Sequence, residues 1–296
     1  MDNRHIISVS VIVPVFNEEA AIENVLRSLE AELQRIGINF EIIVINDGSK
    51  DSSRQIIESF VAGRDAVKLI NHPYNKGNGA SLKAGARAAS YEWLMTFDGD
   101  GQHKVEHIKD LLKYVGDYDM VAAAREGYQG PWIRQPGKRF LRWLASYLVD
   151  FEIPDINCGF RIVKKGSFFK YINLYPNSFS LYTTSLMAFL KEGLNVKFVP
   201  IKINKRGTGK SLVMPRHAVE TMFLIIRMIV LFSPMRFILP VSALTFVLFS
   251  ISFVFDLIAV HLTNTTVALF IATILIFLFG VVLDQLAAIQ RHLIQK

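Results

Sequence analysis

Asp98, Asp100 and Gln102, separated by Gly99 and Gly101, place two carboxylates and an amide oxygen on one short stretch of chain. The stretch follows the apolar run Trp93-Leu94-Met95-Thr96-Phe97, which reads as a strand entering a core. Acids spaced i, i+2 at the end of an extended segment point to the same side of the backbone. The two glycines let the chain turn tightly and leave room for a ligand. Asp98, Asp100 and Gln102 are therefore candidate ligands for a hard cation, Mg2+ or Mn2+. Beside a diphosphate, such an ion neutralises the charge that develops as the diphosphate leaves. The alternative is a plain surface turn, because Asp-Gly is a common turn dipeptide.

The elements that must position this turn read in alternation. Val9 to Val15 is a β-branched run, a buried parallel strand. From Glu18 to Ile36, residues Ile22, Val25, Leu26, Leu29 and Leu33 recur at helical spacing on one face. Phe40 to Ile45 is a second buried strand, stopped by Asn46-Asp47-Gly48-Ser49. Ser52 to Val61 is a helix, Val67 to Ile70 a strand and Ala80 to Ala89 a helix. This order predicts a doubly wound α/β sheet with helices on both faces and ligands at the carboxyl ends of the strands. The Asp47 turn and the Asp98/Asp100 turn lie at two such ends, so they can face one pocket.

Beyond the turn, Val105 to Tyr114 reads as a helix and Met120 to Ala124 as a strand ending at Arg125. Gly127 to Gly137 reads as a loop. A basic helix follows, with Lys138, Arg139 and Arg142 among Phe140, Leu141, Trp143 and Leu144. Asn157 to Val163 and Val196 to Ile203 read as strands, and Ser180 to Lys191 as a helix.

The last quarter changes character. Arg216 to Phe232 is amphipathic, suited to lying on a bilayer surface. Phe237 to Phe255 and Leu262 to Leu283 carry no charge, and each is long enough to cross a hydrocarbon core of about 30 Å. The connection His261 to Thr266 has no Lys or Arg, whereas Arg216, Arg227, Arg236, Arg291 and Lys296 flank the pair. The positive-inside rule then predicts that the hairpin tip faces away from the cytoplasm. Asp256 is costly in lipid and is expected near the far interface.

Composition agrees with a globular part followed by a membrane part: 51% of the 296 residues are hydrophobic, and the excess gathers after residue 220. The net charge of +7 suits an anionic partner, either a membrane surface or a phosphate-bearing substrate. The single cysteine, Cys158, excludes an intramolecular disulfide and reads as a small buried residue. Residues 1–5 are polar and the first apolar run is short, so no signal peptide is expected.

Four motifs in order, Val13-Pro14-Val15-Phe16-Asn17-Glu18-Glu19, Asn46-Asp47-Gly48-Ser49-Lys50-Asp51, Asn75-Lys76-Gly77-Asn78-Gly79-Ala80 and Asp98-Gly99-Asp100-Gly101-Gln102-His103, resemble family 2 glycosyltransferases of the GT-A fold. Cys158-Gly159-Phe160-Arg161, Arg206-Gly207-Thr208-Gly209-Lys210-Ser211 and the terminal pair of spans are similar to the dolichol-phosphate mannose synthase branch, which includes bacterial polyprenyl-phosphate glycosyltransferases. The resemblance covers nearly the whole chain. It implies a Rossmann-like, cytoplasmic GT-A catalytic domain over residues 1–213. A juxtamembrane amphipathic helix over 214–234 and a two-helix transmembrane hairpin with a cytoplasmic tail over 235–296 complete it.

The resemblance also implies residue roles. Pro14, Phe16, Glu18, Ile45 and Asp47 hold the nucleoside, with Asp47 on the base. Asp98 and Gly99 contact the nucleotide, while Asp100 and Gln102, with Asp98 beside them, hold the metal on the diphosphate. Arg125, Arg206 and Lys210 bind donor phosphates, for which the guanidinium fork is well shaped. Arg139 and Ser211 meet the acceptor phosphate, and Asp155 helps position the acceptor. Two departures stand out: Asn46 replaces the first acid of the usual pair, and Leu212 replaces the usual Lys after Ser211. The implied reaction moves a sugar from a nucleoside diphosphate to a dolichyl or undecaprenyl phosphate, with inversion. The bilayer is a partner, a homo-oligomer is left open, and no nucleic acid is expected. Transfer to another lipid, or a non-catalytic nucleotide-binding subunit, are the alternatives.

Three short patterns point elsewhere. His103-Lys104-Val105-Glu106-His107 matches H-x-x-E-H of a zinc peptidase class. Asn204 to Ser211 approaches a Walker loop, and Gly77-Asn78-Gly79 falls short of a dinucleotide fingerprint. Arg139-Phe140-Leu141-Arg142-Trp143 differs in its first residue from the Q-x-x-R-W of processive synthases.

Overall fold

The computed structural model describes residues 7–126, 135–204 and 232–294, together with 223, 226–227 and 229–230. The chain divides into two compact units, residues 1–143 with 151–213, and residues 144–150 with 214–296.

The first unit is built on seven strands: β1 (Ser8–Val15), β2 (Asn39–Asn46), β3 (Val67–Asn71), β4 (Trp93–Thr96), β5 (Met120–Arg125), β6 (Arg161–Lys164) and β7 (Val196–Ile201). They lie in the order β3-β2-β1-β4-β6-β5-β7. β1 pairs in parallel with β2 and β4, and β7 in parallel with β5. β6 runs antiparallel to both its neighbours, so the α/β sheet is mixed. Residues 157–160, expected to be strand, lie ahead of β6 without regular structure. The Arg161 guanidinium reaches back to the Cys158 carbonyl, with Nη2 at 2.6 Å and Nε at 3.2 Å.

Helix α1 (Ile22–Ile36) buries the five apolar residues its spacing picks out and ends at Gly37 in the left-handed region. It starts later than expected because the N–H groups of Ala21 and Ile22 both turn back onto the Glu18 carbonyl, each at 3.0 Å. Val11, Val13 and Val44 pack on its side of the sheet. On the opposite side, α3 (Asn78–Ala88) lies so close that a Cβ at Gly85 would meet Ile12 at 2.5 Å and Ile45 at 2.9 Å. α2 is Ser53–Val61. The helix expected over 105–114 is a 3-10 turn followed by the short α4 (Ile108–Leu112). α5 (Gln135–Val149) begins inside the segment read as a loop, with Pro136 in its first turn, a position proline tolerates; residues 127–134 lie outside the described ones. α6 (Lys165–Lys170) gave no sequence signal, and α7 (Leu181–Lys191) is buried along most of its length.

The second unit carries α8 (Pro234–Ala259) and α9 (Asn264–Ile294), of 26 and 31 residues. Only 6% and 11% of their most apolar windows is buried, with mean hydropathies of 2.3 and 2.9. A soluble core helix hides such residues; these two turn Leu, Ile, Val and Phe outward and are long enough to cross a bilayer. They pack closely, since a Cβ on Gly280 would meet Ile238 at 2.6 Å. At the tip, the Asp256 carboxylate accepts the Thr263 N–H at 2.8 Å and its hydroxyl at 3.0 Å. Asp256 is thus buried and partnered across the turn, beyond the interfacial placement expected of it. At the base, Arg236 donates to the Tyr147 carbonyl at 2.7 Å and pairs with Asp150. Most of the amphipathic stretch 216–232 lies outside the described residues.

Candidate active site

The carboxyl ends of β1, β2 and β3 are stitched together by side chains. Past β1, the Asn17 N–H donates to Ser49 Oγ at 3.1 Å, and Asn17 Oδ1 accepts the Lys50 N–H at 2.8 Å. The Glu18 N–H donates to Ser53 Oγ at 2.9 Å. Asn46 donates to Asn71 Oδ1 at 2.9 Å and accepts the Ser49 N–H at 3.1 Å. An amide can do both, which a carboxylate cannot. Asp47 is buried and accepts the N–H groups of Lys76 and Gly77, both at 2.9 Å, with His72 Nδ1 at 2.7 Å. Its carboxylate therefore organises the loop after β3. Gly48, at φ +71°, presses on that loop: a Cβ there would come within 2.5 Å of the Tyr74 backbone.

The Asp98/Asp100 turn follows β4, and its two acids have separate partners. Asp98 Oδ2 faces His103 Nε2 at 3.2 Å, and Oδ1 accepts the Tyr182 hydroxyl at 3.3 Å. Behind it stands Gly159, where a Cβ would come within 2.4 Å of the carboxylate. Burial pushes the Asp98 carboxyl up, but His103, Tyr182 and the Arg125 charge outweigh it and hold the group below the usual carboxylate range. Burial and the neighbouring Asp98 push the Tyr182 phenol well above its ordinary value, so it stays protonated and donates. Asp100 Oδ1 instead accepts the Gln102 N–H at 3.0 Å, and the Gln102 carbonyl accepts the Asn204 N–H at 2.9 Å.

This donor set suits a hard cation. Among the described residues no three His, Cys, Asp or Glu side chains gather into a cage. Mg2+ is ordinarily bound by one or two carboxylates plus substrate phosphates and water, and Asp100 with Gln102 supplies a share of that size. Zinc is a poor fit, because His103 turns to Asp98 while His107 faces Asp110 at 3.3 Å and the Lys202 carbonyl at 3.1 Å.

At the end of β5, Arg125 grips Asp155 with two parallel bonds, Nε to Oδ2 at 2.6 Å and Nη2 to Oδ1 at 3.0 Å. Burial pushes the Asp155 carboxyl up, and the guanidinium more than reverses it, leaving the carboxyl below its usual range. Next to this pair, burial pushes the Cys158 thiol up to about 12, so it is an inert core residue.

Residues 10–196 match the family description Glycosyl transferase family 2, and residues 233–289 match GtrB C-terminal hairpin. The chain belongs to glycosyl transferase family 2. Undecaprenyl-phosphate 4-deoxy-4-formamido-L-arabinose transferase of Aeromonas hydrophila is 30% identical over 168 residues, 56% of this chain and 51% of that one. Dolichyl-phosphate beta-glucosyltransferase ALG5C of Trichomonas vaginalis is 26% identical over 217 residues, 67% of this chain and 64% of that one. The chain spans between half and two thirds of the length of these relatives. Glucosyl-3-phosphoglycerate synthase of Mycobacterium tuberculosis, solved with Mn2+, uridine diphosphate and glucosyl-3-phosphoglycerate, superposes with a TM-score of 0.59 at 16% identity, over 75% of this chain and 78% of that one. The shared feature is the GT-A fold.

Within this family 2 chain, the expected site residues fall in three groups. Pro14, Phe16, Glu18, Asp47, Asp98, Gly99, Asp100 and Gln102 lie at or just beyond the carboxyl ends of β1, β2 and β4, as the alternation of strands and helices required. Ile45 is fully buried within β2, between β1 and β3. Arg125 and Asp155 are brought together, and Arg139 is exposed on α5. Arg206, Lys210 and Ser211 lie outside the described residues. His72 and Tyr182 carried no functional reading in the sequence, and Asn78 and Gly159 stood in family motifs without a role of their own, yet each lies against Asp47, Asp98 or a partner of Asp98. The one available hint was Gly159, a glycine ahead of a strand in a motif otherwise made of bulky residues.

Proposed function

We propose that this chain transfers a sugar from a nucleoside diphosphate to a polyprenyl phosphate in a bilayer, inverting the anomeric centre. The observation that carries the reading is the Asp98-to-Gln102 turn at the carboxyl end of β4, in a chain that also bears two outward-facing apolar helices. The acceptors named for the Aeromonas and Trichomonas relatives support an acceptor of this class.

Asp100 and Gln102, with Asp98 alongside, would hold a divalent cation, which when bound supplies positive charge to the leaving diphosphate. Arg125, aligned by Asp155, adds a fixed positive charge near Asp98. Arg206 and Lys210 are assigned to the donor, and Arg139 and Ser211 to the acceptor phosphate. That phosphate is already anionic at neutral pH, so the chain has little need of a general base. Its task is to hold the acceptor in line and keep the site preorganised.

Residues 1–213 would form the catalytic domain, 214–234 an interfacial helix and 235–296 the membrane hairpin. The lysine- and arginine-free tip at 261–266 and the basic flanks support a catalytic domain on the cytoplasmic face. Membranes bearing the chain, incubated with labelled nucleotide sugars and Mn2+, test the reading. Acid-labile label in the lipid fraction is expected. Acid-stable label would move the acceptor to another lipid, and no label would leave a nucleotide-binding subunit.

A further inference from the structure

The Asp98 carboxylate sits in a polar chain that runs through the core of the first unit. Asn78, at the start of α3, lies beside the Tyr182 hydroxyl. The Tyr182 hydroxyl donates to Asp98 Oδ1 at 3.3 Å, and Asp98 Oδ2 faces His103 Nε2 at 3.2 Å. The members come from three separate parts of the sequence, and Asp98 and Tyr182 are 84 positions apart.

The surroundings leave these side chains little choice of position. The His103 ring packs against both Phe97 and Phe160, with centroids at 5.9 Å and 5.5 Å. The Tyr182 ring lies under the Arg161 guanidinium at 4.9 Å, and Arg161 also donates to the Tyr182 carbonyl at 2.9 Å. Thr96 Oγ1 donates to the Gly159 carbonyl, which holds the one residue small enough to back the Asp98 carboxylate.

The ends of the chain separate it from an ordinary structural network. Buried polar atoms in a purely structural network are almost always paired. Here Asn78 Oδ1 and His103 Nδ1 are both buried with no hydrogen-bond partner among the described residues. Asp98 itself keeps 27% of its side chain open to solvent. Asn78 is also half-buried, whereas His103 and Tyr182 are buried, so the solvent-open part of the chain includes the acid assigned to the nucleotide.

We propose that Tyr182, His103 and Asn78 are positioning residues that fix the Asp98 carboxylate for the nucleoside diphosphate, acting only through Asp98. The claim rests on the nucleotide-sugar reading above. Cys158-Gly159-Phe160-Arg161 is then the platform beneath this acid: Gly159 admits the carboxylate, Phe160 backs His103, and Arg161 ties Tyr182 to the turn.

The test uses the full chain in detergent, with UDP, GDP, TDP and CDP titrated separately by calorimetry in the presence of Mn2+. Tyr182→Phe removes one hydroxyl and keeps the ring; His103→Phe keeps an aromatic against Phe97 and Phe160. Each is expected to weaken the nucleotide that binds by about tenfold, the effect of one hydrogen bond to a charged group. Melting should stay within about two degrees of the parent, because the packing is kept. In an Asp98→Ala background the same substitutions should change affinity no further. The proposal is overturned by unchanged affinity in both variants, by an equal loss in the Asp98→Ala background, or by a change confined to the melting temperature. Should one variant fail to fold, the other decides. Binding of none of the four nucleotides by the parent chain would bring down the nucleotide-sugar reading and this claim together.

Discussion

The two units use the same apolar residues in opposite directions. In the sheet unit Val11, Val13, Leu26 and Leu29 are fully buried, and buried charged groups such as Glu41, Asp47 and Arg161 are hydrogen-bonded. In the hairpin Leu244, Phe255, Leu257 and Leu275 point outward, and the principal buried acid is at the bend. Hydrophobic burial drives the first, whereas the second needs an apolar solvent around it. The difference teaches that composition alone is ambiguous and that the direction in which a side chain points carries the functional information.

A complete division of labour makes the strongest demand on this contrast. Asp100→Ala should lower sugar transfer by about a thousandfold or more, as loss of charge stabilisation at a leaving group does. The protein should still sediment with membranes and resist carbonate extraction. Near-normal transfer by this variant would remove the cation from the account.

Packing offers the next comparison. Leu29→Ala in α1 should cost about 2–5 kcal/mol of stability by emptying a closed core. Leu275→Ala in α9 should cost under about 0.5 kcal/mol, since lipid takes the place of the lost methyls. Denaturant titrations of the full chain in detergent measure both, and equal costs would mean that the hairpin is packed like a soluble bundle. Asp256→Ala should cost about 1–3 kcal/mol, because two Thr263 donors lose their shared acceptor.

The smallest effect is on pH dependence. The folded Asp155 carboxyl lies below its unfolded value, so its pairing with Arg125 stabilises the fold fully above the unfolded value of about 3.9. That contribution is lost as pH falls through the lower, folded value. Denaturation midpoints taken from pH 6 to pH 3 should therefore fall less steeply in Asp155→Asn than in the parent. Parallel slopes would show that the pair contributes nothing.

Much of the fold was legible locally. β-branched runs marked β1 and β2, helical spacing marked α1, and uncharged stretches marked α8 and α9. The reversal of β6 was not legible, because four residues carry no direction and its pairing with β4 and β5 is tertiary. At the site, the Asp98-to-Gln102 turn was visible because its residues are neighbours. The roles of His72 and Tyr182 were not, because they meet Asp47 and Asp98 across 25 and 84 positions. Asp47 shows the same limit: its spacing places it at a strand end, but only coordinates show its carboxylate spent on the Lys76 and Gly77 amides.

The bond network at Asp256 bears on how the hairpin reaches its final place. A bend that arrives with bare amides and hydroxyls would drag water along or stall at the near leaflet. With Thr263 capped from within, two donors of the bend need no water to satisfy them.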